Sequence, residues 1–251
     1  MVSDPGSVLI IPMAGRGSRL AEAGYQELKP FVTLNGHSIL YWSLSWIVEL
    51  MPLTPIVVIM RQDDVVRYRN NLARILSVLV GTRWQLVSIE SGTAGQLETC
   101  MAAEGRVQSE AQVVIHNCDT WVDAGGSPIP SSTNFISLFP SESPSYSYAS
   151  IGLDGRIAQI AEKVVLPGGH ASTGTYGFRN WRTLKLSYEM AKSSMQAASS
   201  GELYVSCGIQ HLLGLKSVDA GFDPHFVRQA LPLGTADELA AAEAHLRNKP
   251  S

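Results

Sequence analysis

The sequence predicts an α/β fold in which helices cover both faces of a mainly parallel sheet. Three observations support this prediction. Short apolar runs rich in β-branched residues, such as residues 8–11, fit strands that are buried on both faces. Helical patterns alternate with these runs, and such alternation favours β-α-β crossovers. A chain of 251 residues with 45% hydrophobic residues can also bury one large core, so we expect a single domain spanning residues 1–251.

The first half alternates regularly between the two kinds of element. Predicted strands lie at residues 8–11, 55–60, 84–88 and 112–117, and predicted helices at residues 38–50, from near 63, and at 96–106. Beyond Asp119 there is a polar connection rich in Gly, Ser and Pro, and after it several predicted strands follow one another without helices between them. We expect the sheet to become mixed in this part of the chain. Predicted strands there lie at 134–139, 146–152, 157–163, 172–178 and 226–231, and predicted helices at 181–198 and 203–213. Thr235 and Glu238 have capping-box spacing at the start of a last helix that runs to Arg247.

Composition excludes several classes of protein. A formal net charge of -3 does not predict a nucleic-acid or membrane-surface partner. The three cysteines are far apart and have no CxxC spacing, which argues against a disulfide framework or a zinc site. We find no secretory leader pattern and no apolar run of roughly 20 residues, so we expect a cytoplasmic protein without a membrane span.

A glycine-rich turn directly after the first predicted strand is the most informative segment. It reads Ala14-Gly15-Arg16-Gly17-Ser18-Arg19, and Lys29 follows ten residues later. Glycines let backbone N–H groups approach an anion, and basic side chains neutralise the remaining charge. The spacing is neither that of a P-loop nor that of a dinucleotide fold. The turn therefore predicts a polyphosphate site, although a tight turn with solvated arginines would explain it equally well if it stood alone.

Seven further segments accompany this turn, and together they resemble the sugar-phosphate nucleotidyltransferase family. The opening pattern Gly-x-Gly-x-Arg is followed by Leu28-Lys29-Pro30-Phe31, which is similar to the family's Pro-Lys-Pro motif. The later segments, in the family's order, are Gly95-Gln96-Leu97-Glu98-Thr99, Cys118-Asp119-Thr120, Glu162-Lys163, Ser172-Thr173-Gly174-Thr175-Tyr176-Gly177-Phe178, Gly201-Glu202-Leu203-Tyr204 and Leu233-Gly234-Thr235. The resemblance covers residues from roughly 10 to 240 and is strongest to short bacterial members of capsule and surface-polysaccharide pathways.

The resemblance implies a Rossmann-like three-layer sandwich around a mixed, mainly parallel sheet, of the nucleotide-diphospho-sugar transferase type. It implies a nucleotide-binding half at about 1–125 and an acceptor-binding half at about 126–251. The expected partners are an NTP and a small phosphorylated acceptor, and the expected cofactor is Mg²⁺. The catalytic residues would be Arg19, Lys29 and Asp119, with Asp119 also a metal ligand. Nucleotide-binding residues would be Ala14, Gly15, Arg16, Gly17, Ser18, Gly95, Gln96 and Thr99; acceptor-binding residues would be Glu162, Lys163, Thr173, Gly174, Tyr176, Glu202 and Tyr204.

Two departures from the family pattern keep alternatives open. Leu28 replaces a proline, and Pro232 stands where many relatives carry a second metal-binding Asp, which leaves Asp123, Asp219 and Asp223 as weaker candidates. The alternatives are cytidylyl transfer to a non-sugar phosphate or phosphonate, a nucleotide-binding protein without turnover, and a related glycosyltransferase. A glycosyltransferase normally has an Asp-x-Asp metal motif, and the residues that start at Asp119 do not provide its second carboxylate. More ordinary interpretations also exist: Asp119 as a turn residue, and Glu162-Lys163 as an exposed ion pair. A homo-oligomer is compatible with a chain of this size.

Overall fold

The computed structural model describes residues 6–198, 201–215 and 217–247. Its strands are β1 Ser7–Met13, β2 Thr33–Leu34, β3 His37–Ser38, β4 Ile56–Arg61, β5 Trp84–Ile89, β6 Gln112–His116, β7 Thr120–Asp123, β8 Phe135–Phe139, β9 Tyr148–Ile151, β10 Ile157–Ala161, β11 His170–Phe178, β12 Asp223–Phe226 and β13 Gln229–Pro232. Its helices are α1 Ser18–Glu22, α2 Ile39–Leu50, α3 Gln62–Val80, α4 Gln96–Met101, α5 Trp181–Ala198, α6 Val205–Gly214 and α7 Ala236–Leu246. Short 3-10 helices lie at Lys29–Phe31 and Val218–Ala220.

The main sheet has a parallel part and an antiparallel extension. β1 lies between β4 and β6, and β4 pairs with β5, all in parallel. β11 joins this part by pairing antiparallel with β6, and it also pairs with β8 and β9. In the part of the chain that the structure describes, the sheet has nine strands. The predicted change from a parallel to a mixed sheet is confirmed.

Alternate residues of the central strands face two different apolar layers. On β1, Val8 and Ile10 pack into the layer that contains residues of α5 and α6, whereas Leu9 and Ile11 pack into the layer that contains residues of α2 and α3. All four side chains are buried. A strand covered on both faces loses most of its apolar surface to the core, which explains why its sequence reads as a continuous hydrophobic run. The predicted three-layer α/β fold is therefore confirmed.

Two sequence predictions of elements were wrong in detail. The strand predicted at 226–231 is divided into β12, which pairs with β8, and β13, which pairs with β7 in a separate two-stranded sheet. The helix predicted at 96–106 ends at Met101 and continues as turns. The last helix begins as predicted, because Thr235 Oγ1 accepts a hydrogen bond from Glu238 N at 3.3 Å.

Over the described ranges, the helices do not combine the length and apolar character needed to cross a membrane.

Candidate active site

A cleft of about 470 Å³ opens at the carboxyl ends of β1 and β6, where ligand sites in parallel sheets usually lie. The turn after β1 and the turn after β6 form one wall. The bulged middle of β11, which pairs with β6, and the segment around residues 202–204 also line the cleft. The strand order therefore brings segments from most of the chain length to one place.

The glycine-rich turn is shaped by its close approach to Lys29. Gly17 has a φ of 62°, in the left-handed region that favours glycine, and it precedes the short helix α1. A Cβ added at Gly17 would lie 3.1 Å from Cβ of Lys29. The absence of a side chain at this position thus lets the turn pack directly against the lysine.

Lys29 and Asp119 form an ion pair in the cleft. Lys29 Nζ lies 2.5 Å from Asp119 Oδ2, and each side chain is 23% exposed. The negative charge of Asp119 raises the pKa of Lys29 above its ordinary value, although burial opposes this effect. Burial is the largest single effect and acts to raise the pKa of Asp119. The charge of Lys29, its hydrogen bond and the charge of Arg19 act in the opposite direction, and the net result is a pKa below the ordinary value. Both groups are therefore charged at neutral pH, and Asp119 is more than a turn residue.

A hydrogen-bonded chain of polar groups lies beside this pair. Gln96 Nε2 donates to Asn117 Oδ1 at 2.5 Å, and Asn117 N donates to Gly174 O at 3.2 Å. Gly174 has a φ of 79°, and a Cβ there would come within 2.1 Å of Asn117 Nδ2. The bulge of β11 can approach Asn117 this closely only because residue 174 is glycine.

The loop before α4 packs through its backbone against the segment around residues 202–204. A Cβ at Gly95 would lie 2.6 Å from the backbone N and O of Leu203. Leu97 N donates to Leu203 O at 2.9 Å, and Leu203 N donates to Ala94 O at 2.9 Å. Thr99 Oγ1 reaches back to Gly95 O at 3.0 Å. These contacts fix Gly95 and Gln96 relative to Glu202 and Tyr204.

His116 lies behind the cleft in a buried polar network. Its Nδ1 lies 2.8 Å from Thr175 Oγ1, and its Nε2 lies 3.0 Å from Ser43 Oγ. Burial lowers the pKa of His116 to about 4, so the ring is neutral at pH 7. Burial likewise raises the pKa of Cys118 to about 12, which keeps this thiol protonated. The geometry and protonation of both residues fit structural roles in packing and in the wall of the cleft.

Glu162 is held by two serine hydroxyls and is not a solvated member of an ion pair. Its Oε2 accepts hydrogen bonds from Ser206 Oγ at 2.6 Å and from Ser147 Oγ. Tyr176 lies next to it, and burial, followed by the negative charge of Glu162, raises the pKa of Tyr176 to about 12. The carboxylate is thus oriented by short hydrogen bonds at the cleft wall.

Lys163 belongs to a separate polar group at the cleft mouth. It has a φ of 54°, which is uncommon for a residue with a side chain. Its Nζ donates to Tyr204 OH at 2.8 Å, and Tyr204 OH donates to Glu202 Oε2 at 2.5 Å. The hydrogen bond with Tyr204 is the main reason that the pKa of Lys163 is raised. Lys163 therefore presents a cation to the cleft.

The structure places nearly all of the predicted site residues around this cleft. Lining residues include Ala14, Gly15, Gly17, Ser18, Arg19, Lys29, Gly95, Gln96, Thr99, Asp119, Glu162, Lys163, Thr173, Gly174, Tyr176, Glu202 and Tyr204. Arg16 is exposed and is not among them. Their chemical roles stay predictions.

Several lining residues were not predicted as site residues from the sequence. They include Thr93, Asn117, Tyr146, Ser147 and Glu238. Short polar residues give no distinctive sequence signal. For Glu238 the sequence carries a signal, the capping-box spacing, but that spacing predicts a helix start and not a site residue.

Asp119 supplies chemistry that fits Mg²⁺, because its carboxylate lies in a cleft that could also admit phosphate oxygens. The other aspartates considered from the sequence do not line this cleft. Asp219 pairs with Arg179, and Asp223 pairs with Arg156. Within residues 6–198, 201–215 and 217–247, no group of three or more His, Cys, Asp or Glu side chains is arranged to hold a metal.

No protein-family model matches the chain, and a sequence search of curated proteins finds no match. Solved structures do match. A nucleoside-diphosphate-sugar pyrophosphorylase from Vibrio cholerae RC9 is 22% identical, covers 94% of this chain and 99% of its own, and has a TM-score of 0.77. The inositol-1-phosphate CTP transferase from T. maritima is 16% identical, covers 98% of this chain and 96% of its own, and has a TM-score of 0.72.

A putative glucose-1-phosphate thymidylyltransferase from Bacillus anthracis is 17% identical, covers 98% of this chain and 97% of its own, and has a TM-score of 0.71. These three structures match nearly the whole of both chains, so the similarity extends beyond the glycine-rich turn. The chain therefore has the Rossmann-like α/β fold of these nucleotidyltransferase structures over almost its full length.

Proposed function

We propose that this protein is a nucleotidyltransferase that moves NMP from an NTP to a sugar phosphate, releases pyrophosphate and depends on Mg²⁺. The observation that carries the proposal is the meeting of the glycine turn, Lys29 and Asp119 in one cleft that continues to Glu162 and Lys163. The fold shared with nucleotidyltransferase structures supports the same class of reaction.

In the proposed reaction, an acceptor phosphate oxygen attacks the α-phosphorus of the NTP. A new P–O bond forms as the bond from the α-phosphorus to the bridging oxygen breaks, and that oxygen leaves with pyrophosphate. An acceptor phosphate is already ionised near neutral pH, so no general base is needed. The protein has to align the two reactants and neutralise charge, which are the main contributions in phosphoryl transfer.

The nucleotide side of the cleft offers groups suited to these tasks. Backbone N–H groups of residues 15–18 and the Arg19 guanidinium would contact the β- and γ-phosphates. Lys29 would contact the α-phosphate, and its raised pKa keeps it cationic throughout the physiological range. Asp119 would hold Mg²⁺, which when bound would neutralise negative charge on the phosphates.

The acceptor side offers one cation and one carboxylate. Lys163 would bind the acceptor phosphate. Glu162 already accepts hydrogen bonds from two hydroxyl groups, and a sugar hydroxyl is a donor of the same chemistry. The combination of an ammonium group and a hydroxyl-binding carboxylate supports a phosphorylated polyol as the acceptor.

We assign the nucleotide to the half of the chain at about 1–125 and the acceptor to the half at about 126–251. We place the reaction in the cytosol, where NTPs are available, and in the supply of sugar nucleotides for surface polysaccharides. A homo-oligomer is compatible with this proposal, because dimers and tetramers are common for proteins of this size.

Cytidylyl transfer to a non-sugar phosphate is a second candidate. The observation that favours it is the structural match to an inositol-1-phosphate CTP transferase over 98% of this chain. The same site chemistry permits both reactions, so the acceptor panel has to include inositol phosphate, phosphocholine and a phosphonate beside sugar 1-phosphates.

The test is pyrophosphate release with each of the four NTPs, Mg²⁺ and this acceptor panel. We expect release with one NTP and a sugar 1-phosphate, loss of release on omission of Mg²⁺, and loss in a folded Lys29→Ala variant. Turnover of CTP with only a non-sugar acceptor would support the second candidate. Tight NTP binding by calorimetry without any product would refute both and support a nucleotide-binding protein without turnover.

A further inference from the structure

Glu238 lies in the first turn of α7, and its side chain lines the same cleft as Asp119. Its carboxylate oxygen Oε2 accepts a hydrogen bond from Gly234 N at 2.9 Å. Its backbone N–H donates to Thr235 Oγ1 at 3.3 Å. Both ends of the residue are therefore anchored, and the position of the carboxylate is set by the helix start.

Helix capping alone does not explain where this carboxylate lies. In a capping box, the glutamate at this position reaches back to the N–H of the capping residue, which here is Thr235. Glu238 instead reaches one residue further, to Gly234 N. The segment it reaches is itself bound to the Asp119 turn, because Leu233 N donates to Asp119 O at 2.8 Å. The capping interaction is thus displaced by one residue toward the turn that contains Asp119.

The carboxylates of Glu238 and Asp119 flank one point in space. A Cβ added at Gly234 would lie 3.3 Å from Glu238 Oε2, 3.4 Å from Asp119 Oδ2 and 3.9 Å from Lys29 Nζ. Glu238 Oε2 accepts from Gly234 N, and Asp119 Oδ2 contacts Lys29. Among the described residues, the second oxygen of each carboxylate has no hydrogen-bond partner and is available for another ligand. Glycine at 234 leaves the space between the two carboxylates open.

We infer that Glu238 is the second protein carboxylate that holds Mg²⁺ with the NTP, in partnership with Asp119. It would replace the carboxylate expected two residues before Gly234, where this chain has Pro232. The inference rests on the proposed function, which supplies the nucleotide. Mg²⁺ typically binds one or two carboxylates together with phosphate oxygens and several waters. The carboxylates of Asp119 and Glu238 fit this coordination.

The test measures metal binding directly, in the absence of turnover. Mn²⁺ replaces Mg²⁺ as an EPR probe, and it is titrated into the full chain alone and with the α,β-methylene analogue of each of the four NTPs. Glu238→Gln keeps an oxygen that can accept from Gly234 N, so the helix start is preserved. Glu243→Gln, on the exposed side of the same helix, is the matched control. Circular dichroism and the urea midpoint verify that each variant is folded.

We expect Glu238→Gln to weaken Mn²⁺ binding in the nucleotide complex by about tenfold or more, a loss in the range found for groups that support a metal site. Glu243→Gln should stay within about twofold of wild type, and Asp119→Asn should lose most of the binding. Pro232→Asp in the Glu238→Gln background should recover part of the affinity, because it returns a carboxylate to the strand opposite Thr120.

Equal Mn²⁺ affinity in Glu238→Gln and Glu243→Gln would overturn the inference, as would a wild type that does not retain Mn²⁺ with any analogue. Neither result alone would refute the proposed function, which the pyrophosphate assay decides independently. Conversely, pyrophosphate release that is undiminished in Glu238→Gln at limiting Mg²⁺ would overturn the role of Glu238 while leaving nucleotidyl transfer intact.

Discussion

Replacing Lys29 with methionine should reduce stability and catalysis together. Methionine keeps most of the apolar length but removes the cation that lies 2.5 Å from Asp119 Oδ2. Both side chains are 23% exposed, so the pair is intermediate between a solvated pair, worth under about 1 kcal/mol, and a fully buried one, whose disruption costs about 3–5 kcal/mol. We therefore expect a loss of about 2 kcal/mol in the free energy of unfolding at pH 7.

The pH dependence of this loss has a definite sign. The pKa of Asp119 is lowered in the folded state, so the pair stabilises the protein above the ordinary value of 3.8, and this stabilisation is lost as the pH falls through the folded pKa. The pKa of Lys29 is raised above its ordinary value of 10.5. The same stabilisation is therefore fully present below pH 10.5 and is lost at more alkaline pH. The difference between wild type and Lys29→Met should hold at pH 5–9 and shrink below about pH 4.

Urea denaturation followed by tryptophan fluorescence measures this difference, and pyrophosphate release measures activity. We expect an activity loss of about 10²- to 10³-fold, the usual cost of removing one group that stabilises transition-state charge. Lys185→Met is the control, because Lys185 pairs with Glu104 on the exposed surface and should leave both readouts unchanged.

A double variant tests whether the ion pair is the cause. Asp119→Asn added to Lys29→Met removes both charges, so its stability should be higher than the sum of the two single losses predicts. Strict additivity, or a Lys29→Met variant that is as stable as wild type at pH 7 and keeps more than a tenth of its activity, would refute this reasoning.

Three further predictions concern the walls of the cleft. Gly174→Ala should destabilise the fold by about 1–2 kcal/mol, because φ is 79° and its Cβ would meet Asn117 Nδ2 at 2.1 Å. The displaced Asn117 would also disturb its hydrogen bond with Gln96, so the KM for the NTP should rise about tenfold in addition to any change in the KM for the acceptor; unchanged nucleotide affinity would contradict this. Ser206→Ala should raise the KM for the acceptor about tenfold and leave that for the NTP unchanged, since it removes a charge-assisted hydrogen bond to Glu162; equal changes in both KM values would argue against it. His116, with a pKa lowered by burial to about 4, should make wild type lose about 3 kcal/mol of stability between pH 6.5 and pH 4, because the unfolded chain takes up the proton first. His116→Gln should lack this slope in urea titrations, and an identical slope would assign it to other groups.

Local sequence patterns predicted most of the fold because the parallel strands are buried on both faces. A run such as residues 56–60 has few alternatives to a central strand. The hydrophobic pattern did not predict the division of residues 223–232 into two strands. Apolar residues continue through this segment, but the neighbouring strand changes from β8 to β7. Arg228 N donates to Asp123 O there, as the chain passes from the main sheet to the small one. Periodicity reports burial, but it does not report which strand lies alongside.

The candidate site was predictable where residue type and strand position coincide. Lys29 and Asp119 are 90 positions apart. They meet because Asp119 follows β6 and Lys29 packs against the glycine turn that follows β1, and these two parallel strands end at the same edge of the sheet. Asn117, Ser147 and Ser206 were not predicted, since their importance lies in the partner that each one binds. A serine has no sequence signature until the carboxylate that it orients, here Glu162, is known to be its neighbour.

Leu28 shows how a departure from a motif can leave the geometry intact. Its backbone has φ −60° and ψ 134°, values that a proline adopts readily, so the turn into the 3-10 helix of Lys29 keeps the shape that proline would impose. Leucine also retains an N–H group, which donates to Tyr68 OH at 3.1 Å, and the Tyr68 ring stacks on Phe31 with centroids 4.9 Å apart. A proline at 28 would lose that hydrogen bond. The hydrogen bond to Tyr68 therefore supplies the restraint that a proline ring would otherwise give, and Lys29 still reaches Asp119. Leu28 therefore gives little support for a protein without turnover. Only Pro232 still favours that alternative, and the Pro232→Asp and Glu238→Gln variants measure its effect on metal binding.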